Sequence, residues 1–339
     1  MTEIKNDKTY FIPLVFRLAA KLEQTNLSTF WSDPGYLVRS LKNSQRLFQY
    51  DAMINHFNLV MEAEACGSKV AREAFGETTK IEGSWNNLRT GFSSTSHLLK
   101  NPPIQTVMEV TKRLRIELPN IFLIAVVPGP IRLSSYLVGC DFWPEIGNLS
   151  EKGLEAVEFS GEIILNMVKL YCEQRVNGIL VVETLCVPEG LDSRVAEEVL
   201  ESGIDEMLAL LEEIFVPVQN LVKYYNSRLI LFVEEALSGD RLRKVFELPV
   251  DSVSFGQPSD IKELQNAAKE GQKGFGIALP LQILKEPADK INEHISNISK
   301  AVRDPRNLAG NHLITEWEVP YNTTAQSFKN LMRSIKTYL

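Results

Sequence analysis

Short, uninterrupted apolar runs alternate along the chain with longer segments in which apolar residues recur at helical spacing. Runs of this length are typical of parallel strands that are buried on both faces of a sheet. Eight segments show the pattern: 11–16, 52–61, 121–127, 178–182, 228–233, 251–255, 274–279 and 312–316. The pattern therefore predicts a parallel sheet of eight strands.

Amphipathic segments with helical periodicity fill the intervals between these runs. One of them begins at Asp33-Pro34, a strong helix start because the carboxylate accepts backbone N–H groups and proline lacks one. Segments 155–171 and 195–215 repeat the helical spacing. Eight strand–helix units predict an α/β fold, a single (β/α)8 TIM barrel over residues 1–339, with its active site at the carboxyl ends of the strands.

Residues 76–103 depart from this alternation, because they are rich in Ser, Thr, Asn and Gly and show no sustained apolar period. We expect a long loop here. Loops of this length inside a compact domain are uncommon unless they have a function. Both a lid over the substrate and an inert insertion remain open.

Composition excludes several classes of function. The 339 residues carry a net charge of −7. The chain lacks the basic stripe that binding to nucleic acid or to an anionic membrane surface requires. The apolar segment 121–130 is shorter than the about 20 residues that span a bilayer, and the polar start is not a signal peptide. We therefore expect a cytoplasmic protein. Its cysteines are widely spaced and predict buried thiols rather than a metal site: Cys66, Cys140, Cys172 and Cys186.

Charged and polar residues follow most of the predicted strands. They are Arg17, Lys21, Asn58, Glu62, Glu64, Tyr136, Glu183, Glu234, Glu235, Glu316 and Glu318, the last two flanking Trp317. Carboxylates on one rim can bind a cation, transfer protons or face solvent, and convergence in a dry pocket would raise at least one pKa. The spacing of His56, His97, His294 and His312 gives no zinc motif, and no GxSxG, GxGxxG or Walker sequence occurs.

Three segments resemble the uroporphyrinogen decarboxylase superfamily: residues 58–67 (NLVMEAEACG), 129–139 (GPIRLSSYLVG) and 315–320 (TEWEVP). The resemblance extends from Pro13 to the end of the chain. It implies a single (β/α)8 barrel, in agreement with the strand count. It also implies one of two chemistries: decarboxylation of a tetrapyrrole, or methyl transfer between corrinoids and small acceptors.

The decarboxylase residues are only partly present. By resemblance, Arg17 matches an arginine that binds substrate carboxylates, whereas Lys21 replaces a second arginine and loses its bidentate geometry. Asn58 stands where the decarboxylases have an aspartate that binds the pyrrole N–H groups. Because an amide supplies no negative charge, tetrapyrrole decarboxylation is disfavoured.

Three more positions are compared in the same way. Tyr136 matches the family tyrosine, Thr184 stands for a serine, and Glu316 replaces a late histidine. Zinc-dependent methyltransferases of the superfamily resemble this chain less closely at their metal site, since Glu234 and Glu316 stand where thiolates bind zinc. Loss of these soft ligands predicts no zinc and therefore no zinc-activated thiol.

The resulting hypothesis is a corrinoid-dependent methyltransferase of one-carbon metabolism with Glu316, Glu234 and Asn58 as catalytic residues. We expect substrate contacts from the remaining strand-end residues: Arg17, Lys21, Tyr136, Glu183, Thr184, Trp317 and Glu318. The corrinoid (cobalamin) would be carried by a separate corrinoid protein, the small methyl acceptor or donor could be tetrahydrofolate, and the resemblance makes a homodimer plausible. Two alternatives are a non-catalytic barrel that binds a tetrapyrrole or corrinoid, and a divergent decarboxylase-like lyase.

Overall fold

Ten β-strands are present in the computed structural model, which describes residues 9–72, 78–83, 85, 94–139, 141–185, 204–257, 260–302 and 311–339. The strands are β1 (Tyr10–Ile12), β2 (Ala52–Ile54), β3 (Lys69–Arg72), β4 (Thr78–Glu82), β5 (Phe122–Pro128), β6 (Gly178–Glu183), β7 (Arg228–Val233), β8 (Ser252–Phe255), β9 (Gly274–Leu279) and β10 (His312–Thr315). All except β3 and β4 belong to one parallel sheet.

The parallel sheet curves into a nearly closed barrel. Its hydrogen-bonded order is β1-β10-β9-β8-β7-β6-β5-β2, and the two outer strands of that order, β1 and β2, lie side by side. The fold is therefore a single (β/α)8 TIM barrel. Because all eight strands are parallel, their carboxyl ends meet at one end of the barrel.

Helices pack around the barrel between successive strands. They are α1 (Phe16–Leu22), α2 (Leu27–Ser32), α3 (Pro34–Phe48), α4 (Met61–Ala65), α5 (Thr95–Leu98), α6 (Pro102–Glu117), α7 (Pro130–Val138), α8 (Phe142–Gly147), α9 (Glu151–Glu173), α10 (Ile204–Tyr224), α11 (Gly239–Glu247), α12 (Ile261–Glu270), α13 (Ala288–Val302) and α14 (Ala325–Tyr338). A short 3₁₀ helix, Leu281–Lys285, links β9 to α13. In the part of the chain that the structure describes, no helix is both long and apolar enough to cross a membrane.

The two ends of the chain are joined where β1 meets β10. The Leu14 N–H donates to Thr315 Oγ1 at 3.0 Å, and the Val319 N–H donates to the Leu14 carbonyl at 2.7 Å. Both bonds connect residues about three hundred positions apart in sequence. They fix the loop after β10 against the start of α1, which positions the residues that follow both strands.

A buried polar group lies among the closely packed β8, β9 and β10. His312 is buried, and a Cβ at Gly276 would lie 2.3 Å from His312 Nε2 and 2.5 Å from Ser254 Cβ. Only a residue without a side chain leaves room for the imidazole on the neighbouring strand. Glycine at this position in β9 is therefore a packing requirement.

All eight predicted barrel strands are confirmed, although several end earlier than the apolar runs suggested. The first run ends as a strand at Ile12, since Phe16 begins α1, and the second ends at Ile54, since Met61 begins α4. Apolar residues continue past these strands because the loops above the barrel are also buried. The predicted start of α3 is confirmed: Asp33 Oδ1 accepts the N–H groups of Gly35 at 2.7 Å and Tyr36 at 3.2 Å.

The interpretation of residues 76–103 as a plain loop is wrong in part. Strand β4 lies within this segment and pairs antiparallel with β3, and helix α5 follows at Thr95. Residues 84 and 86–93 lie outside the described residues, as do Cys140, Cys186 and the first part, 195–203, of the predicted helix 195–215. Cys66 and Cys172 are buried, as expected.

Candidate active site at the carboxyl ends of the strands

Arg132 connects two elements at the carboxyl end of the barrel. It lies in the first turn of α7, directly after β5, and is only 6% exposed. Its Nη1 donates to the Tyr136 hydroxyl at 3.0 Å, and its Nη2 donates to Glu234 Oε2 in a close ion pair. Burial lowers the pKa of Arg132, but Tyr136 and Glu234 more than reverse this effect, so the guanidinium is charged.

Glu183, the last residue of β6, caps the N-terminus of α7. Its carboxylate accepts the N–H groups of Ile131 at 3.1 Å, Arg132 at 2.8 Å and Thr184 at 2.9 Å. Complete burial raises the pKa of Glu183 to about 7, because desolvation outweighs these three hydrogen bonds and the charge of Arg132. The carboxylate positions the helix that carries Arg132 and Tyr136.

Gly129 makes this capping contact possible. A Cβ at this position would lie 2.3 Å from Glu183 Oε2. The Gly129 N–H also donates to the Val182 carbonyl at 2.8 Å, which holds the turn after β5 against β6. The close approach of backbone and carboxylate explains why glycine precedes the helix.

Glu235 holds the loop after β6. One carboxylate oxygen accepts a short hydrogen bond from the Thr184 hydroxyl, and the other accepts the Leu185 N–H at 3.1 Å. Glu234, its neighbour, has a side chain that is 40% exposed even though it pairs with Arg132. Consecutive acids at the end of β7 thus do different things, since Glu235 orders a loop and Glu234 presents a paired anion at the barrel mouth.

Glu316 follows β10 and is half-buried. Its Oε1 accepts the Leu281 N–H at 2.8 Å, and among the described residues nothing donates a hydrogen bond to Oε2. The next residue, Trp317, packs edge-on against Phe57 with 5.0 Å between ring centroids. An oriented carboxylate with one available oxygen therefore stands beside an aromatic pair that joins the ends of β2 and β10.

Arg17 and Lys21 bind to the loop after β10. Arg17 donates its backbone N–H to Glu318 Oε1 at 2.7 Å and its Nε to Glu318 Oε2 at 3.2 Å. Lys21 Nζ donates to the Thr323 carbonyl at 3.1 Å and lies 5.7 Å from the centre of the Tyr321 ring. These contacts tie both cations to the protein's own acceptors.

Asn58 lies in the loop that follows β2. Its Oδ1 accepts the Val60 N–H at 3.3 Å, and its own N–H donates to His56 Nδ1 at 3.1 Å. His56 therefore carries its proton on Nε2, which lies 3.0 Å from both the Val126 carbonyl and the Tyr171 hydroxyl. Burial lowers the pKa of His56 to about 3, so the imidazole is neutral and acts as a structural support for the Asn58 loop.

The described contacts arrange the predicted residues in two groups. One group follows β5, β6 and β7 and contains Tyr136, Glu183, Thr184 and Glu234; the other follows β1 and β10 and contains Arg17, Lys21, Glu316, Trp317 and Glu318. Asn58 is connected to the second group by the preceding residue, Phe57, whose ring contacts Trp317. The assigned roles of these residues in catalysis and substrate binding stay predictions.

Sequence reasoning missed the residues that orient this rim. Arg132 lies inside the family-like segment 129–139, which was the available signal, but its partner Glu234 is 102 positions away. The roles of Glu235 and His56 also depend on partners in distant segments.

The expected absence of zinc at the strand ends stays a prediction. Within the described ranges, no three His, Cys, Asp or Glu side chains are grouped so that they could hold a metal ion. Glu234, one of the two positions that the resemblance aligns with zinc ligands, already neutralises a guanidinium. A divalent cation beside Arg132 would meet repulsion rather than an available carboxylate pair.

Comparison with known proteins gives the family of the chain. The sequence profile described as uroporphyrinogen decarboxylase (URO-D) matches residues 14–338. The chain belongs to the uroporphyrinogen decarboxylase family. No curated protein matches the sequence.

Two solved structures resemble this family member in fold. A methyltransferase from Methanosarcina mazei superposes with a TM-score of 0.76 at 14% sequence identity, covering 98% of this chain and 94% of that one. A B12-independent methionine synthase from Shewanella sp. W3-18-1 gives a TM-score of 0.52 at 12% identity, covering 88% of this chain and 84% of that one. At such identities the likeness establishes the shared barrel.

Proposed function

We propose that this protein is a methyltransferase that moves a methyl group between a corrinoid, carried by a separate corrinoid protein, and a small acceptor or donor such as tetrahydrofolate. The proposal rests on the hydrogen bonding of the Glu316 carboxylate. A backbone N–H orients one of its oxygens, while Oε2 accepts no hydrogen bond from any described residue. The fold shared with the Methanosarcina methyltransferase supports the choice of reaction class.

Glu316 suits the proton chemistry that this reaction needs. When N5 of tetrahydrofolate gains a methyl group it loses a proton, and Oε2 is the oxygen able to accept it. The adjacent Phe57–Trp317 pair offers an aromatic surface for a flat pterin ring. Asn58 supports ring binding by hydrogen bonding, since its Nδ2 donates to no described residue.

Glu234 has a different role in this proposal. Its side chain is held by the ion pair with Arg132, so it has less freedom than Glu316 to take part in proton transfer. Together with Arg132 it forms a fixed ion pair at the barrel mouth, which orients the polar part of the substrate. The cobalt–carbon chemistry belongs to the corrinoid when it is bound, so this chain has to align the reactants and move one proton.

The Arg132–Glu234 pair also favours one alternative, a barrel that binds a corrinoid or tetrapyrrole without reacting. A carboxylate that is neutralised within the protein has little capacity for catalysis. In that alternative Glu316 would bind the ligand and transfer no proton. The two possibilities differ in whether turnover occurs.

An anaerobic ultraviolet–visible assay tests the proposal. We expect loss of the methylcobalamin spectrum on addition of the protein and tetrahydrofolate, and little loss with simple thiols. Glu316→Gln should lower the rate by about two to four orders of magnitude, the range for a lost general acid–base group. Glu212→Gln, an exposed position on α10, is the matched control and should leave the rate unchanged. Tight corrinoid binding without demethylation would support the binding barrel instead.

A further inference from the structure

A groove lies on the outside of the barrel between the 3₁₀ helix after β9 and helix α13. Its volume is about 410 Å³, and its walls include Pro280, Gln282, Ile283, Glu286, Lys290 and Asn297. None of these residues belongs to the strand-end site described above. The groove therefore has no assigned role.

An apolar chamber adjoins the inner side of the groove. Pro280 and His294 line both spaces, and the chamber, of about 100 Å³, is otherwise walled mainly by apolar side chains of β8, β9, α12 and α13. Ile277 and Ile298 are representative, with exposed fractions of 7% and 4%. A polar groove that shares lining residues with an adjoining apolar chamber suits small amphiphilic molecules.

The charges at the groove favour a cation as ligand. Two glutamates line it, Glu286 and Glu293, against one lysine, Lys290, which lies 3.5 Å from Glu293. Glu286 forms no ion pair with another described residue. Desolvation lowers the pKa of His294, so this side chain is neutral and does not repel a cation.

We infer that this groove binds a small organic cation, an ammonium group attached to an apolar ring or short chain. The apolar part fills the chamber between Ile277 and Ile298, and the ammonium group pairs with Glu286. The amide oxygens of Gln282 and Asn297 are further acceptors for its N–H groups. This inference is independent of the methyltransferase proposal, because it concerns a different surface and is tested by binding alone.

The groove and Glu316 both contact the same short helix, Leu281–Lys285. Pro280 and Ile283 line the groove, and Leu281, between them, donates the N–H that orients Glu316 Oε1. A ligand that shifts the 3₁₀ helix would also shift this hydrogen bond. We therefore expect a ligand in the groove to change ligand affinity at the strand-end site, and a ligand at the strand-end site to change affinity in the groove by the same factor.

The test is an NMR titration of the ¹⁵N-labelled full chain with phenethylammonium chloride. We expect saturable shifts of Ile283 and Asn297 amides with a Kd on the order of 1–10 mM, as fits a ligand of this size. The neutral analogue 2-phenylethanol should bind about two- to fivefold more weakly, as should the cation to Glu286→Gln, which matches the loss of one exposed ion pair. Glu212→Gln should bind like the unaltered protein.

A second variant tests the chamber. Ile277→Phe fills part of it and should abolish the shifts. Absence of saturable binding, or equal binding of the cation to the unaltered protein and to Glu286→Gln, would overturn the inference. If Ile277→Phe does not fold, the comparison of Glu286→Gln with Glu212→Gln decides the result.

Discussion

Glu62 shows how a single residue can be buried without a partner. It lies in α4, is 0% exposed, and neither carboxylate oxygen has a hydrogen-bond partner among the described residues. Burial raises the pKa of Glu62 to about 8. Its charge interacts with Cys66 and Tyr171, which are acidic groups and supply no positive charge to stabilise a carboxylate. Glu62 is therefore an uncharged carboxylic acid at neutral pH.

This burial predicts a pH-dependent stability. The folded-state pKa is above the ordinary value of 4.5 for a glutamate, so the folded protein holds the proton more tightly than the unfolded chain does. The free energy of unfolding should fall as pH rises from about 5 to about 8, by roughly 1.4 kcal/mol per pH unit where only the unfolded form has ionised. Urea denaturation across this range should show that Glu62→Gln removes part of the slope.

The control for that experiment lies on the same helix. Glu64→Gln changes the same atoms two positions away in a half-buried residue and should keep the slope of the unaltered protein. Parallel profiles for Glu62→Gln and the unaltered protein would show that Glu62 is already ionised in the folded state.

At the scale of elements, α7 is held to the barrel by two contacts of its first turn. Glu183 of β6 accepts the N–H groups of its first turn, and Arg132 of the helix pairs with Glu234 after β7. The helix therefore connects three consecutive strand ends. Its position determines where Arg132 and Tyr136 stand.

The Arg132–Glu234 ion pair should be measurable by a double-mutant cycle. Arg132→Met, Glu234→Gln and the double variant are compared by urea denaturation, and we expect a coupling free energy of about 1 kcal/mol. The value is moderate because the Glu234 side chain is 40% exposed, so water screens its attraction to Arg132. Additive effects of the two substitutions would mean that the pair does not hold α7 in place.

Gly129→Ala should destabilise the protein strongly. The added methyl would lie 2.3 Å from Glu183 Oε2, so either the carboxylate or the turn must move and the helix cap is lost. We expect a loss of about 2–4 kcal/mol in thermal or urea denaturation, because a buried carboxylate loses its partners. Gly178→Ala is the matched control in β6, since the nearest atom to a Cβ at that position would be 3.4 Å away, an ordinary van der Waals contact. Equal losses for the two variants would contradict the capping role of Glu183.

Most barrel strands could be predicted because the signal for each one, a continuous apolar run, lies within its own segment of the sequence. Each barrel strand is buried on both faces, so its apolar run is visible without knowledge of its partners, as in β6 and β9. The hairpin of β3 and β4 was missed because Lys69–Arg72 and Thr78–Glu82 contain many polar residues and pair only with each other. Partners such as Arg132 and Glu234 could not be predicted, because one sequence does not show which distant charges meet.

At the scale of the whole molecule, the barrel brings the two ends of the chain to the same site. Arg17, near the start, binds Glu318, near the end, across 301 positions. Glu316 and Trp317 stand in the loop that these contacts fix. The eight parallel strands confirm the predicted barrel, and the catalytic and binding roles of these side chains stay predictions.

Metal content is a property of the whole purified protein that this arrangement predicts. Since Arg132 neutralises Glu234, we expect far less than one zinc ion per chain by mass-spectrometric metal analysis after purification without chelators. Glu234→Gln should not change this value. One zinc per chain, lost in that variant, would show that Glu234 is a metal ligand after all.

The fate of the methyl group shows whether this protein catalyses methyl transfer. The protein is incubated anaerobically with methylcobalamin labelled with ¹³C in the methyl group and with tetrahydrofolate, and the label is followed by ¹³C NMR. We predict that the methyl resonance moves from cobalt to N5 of the pterin at a rate that depends on Glu316. A label that stays on cobalt while the protein binds the corrinoid tightly would contradict methyl transfer by this protein.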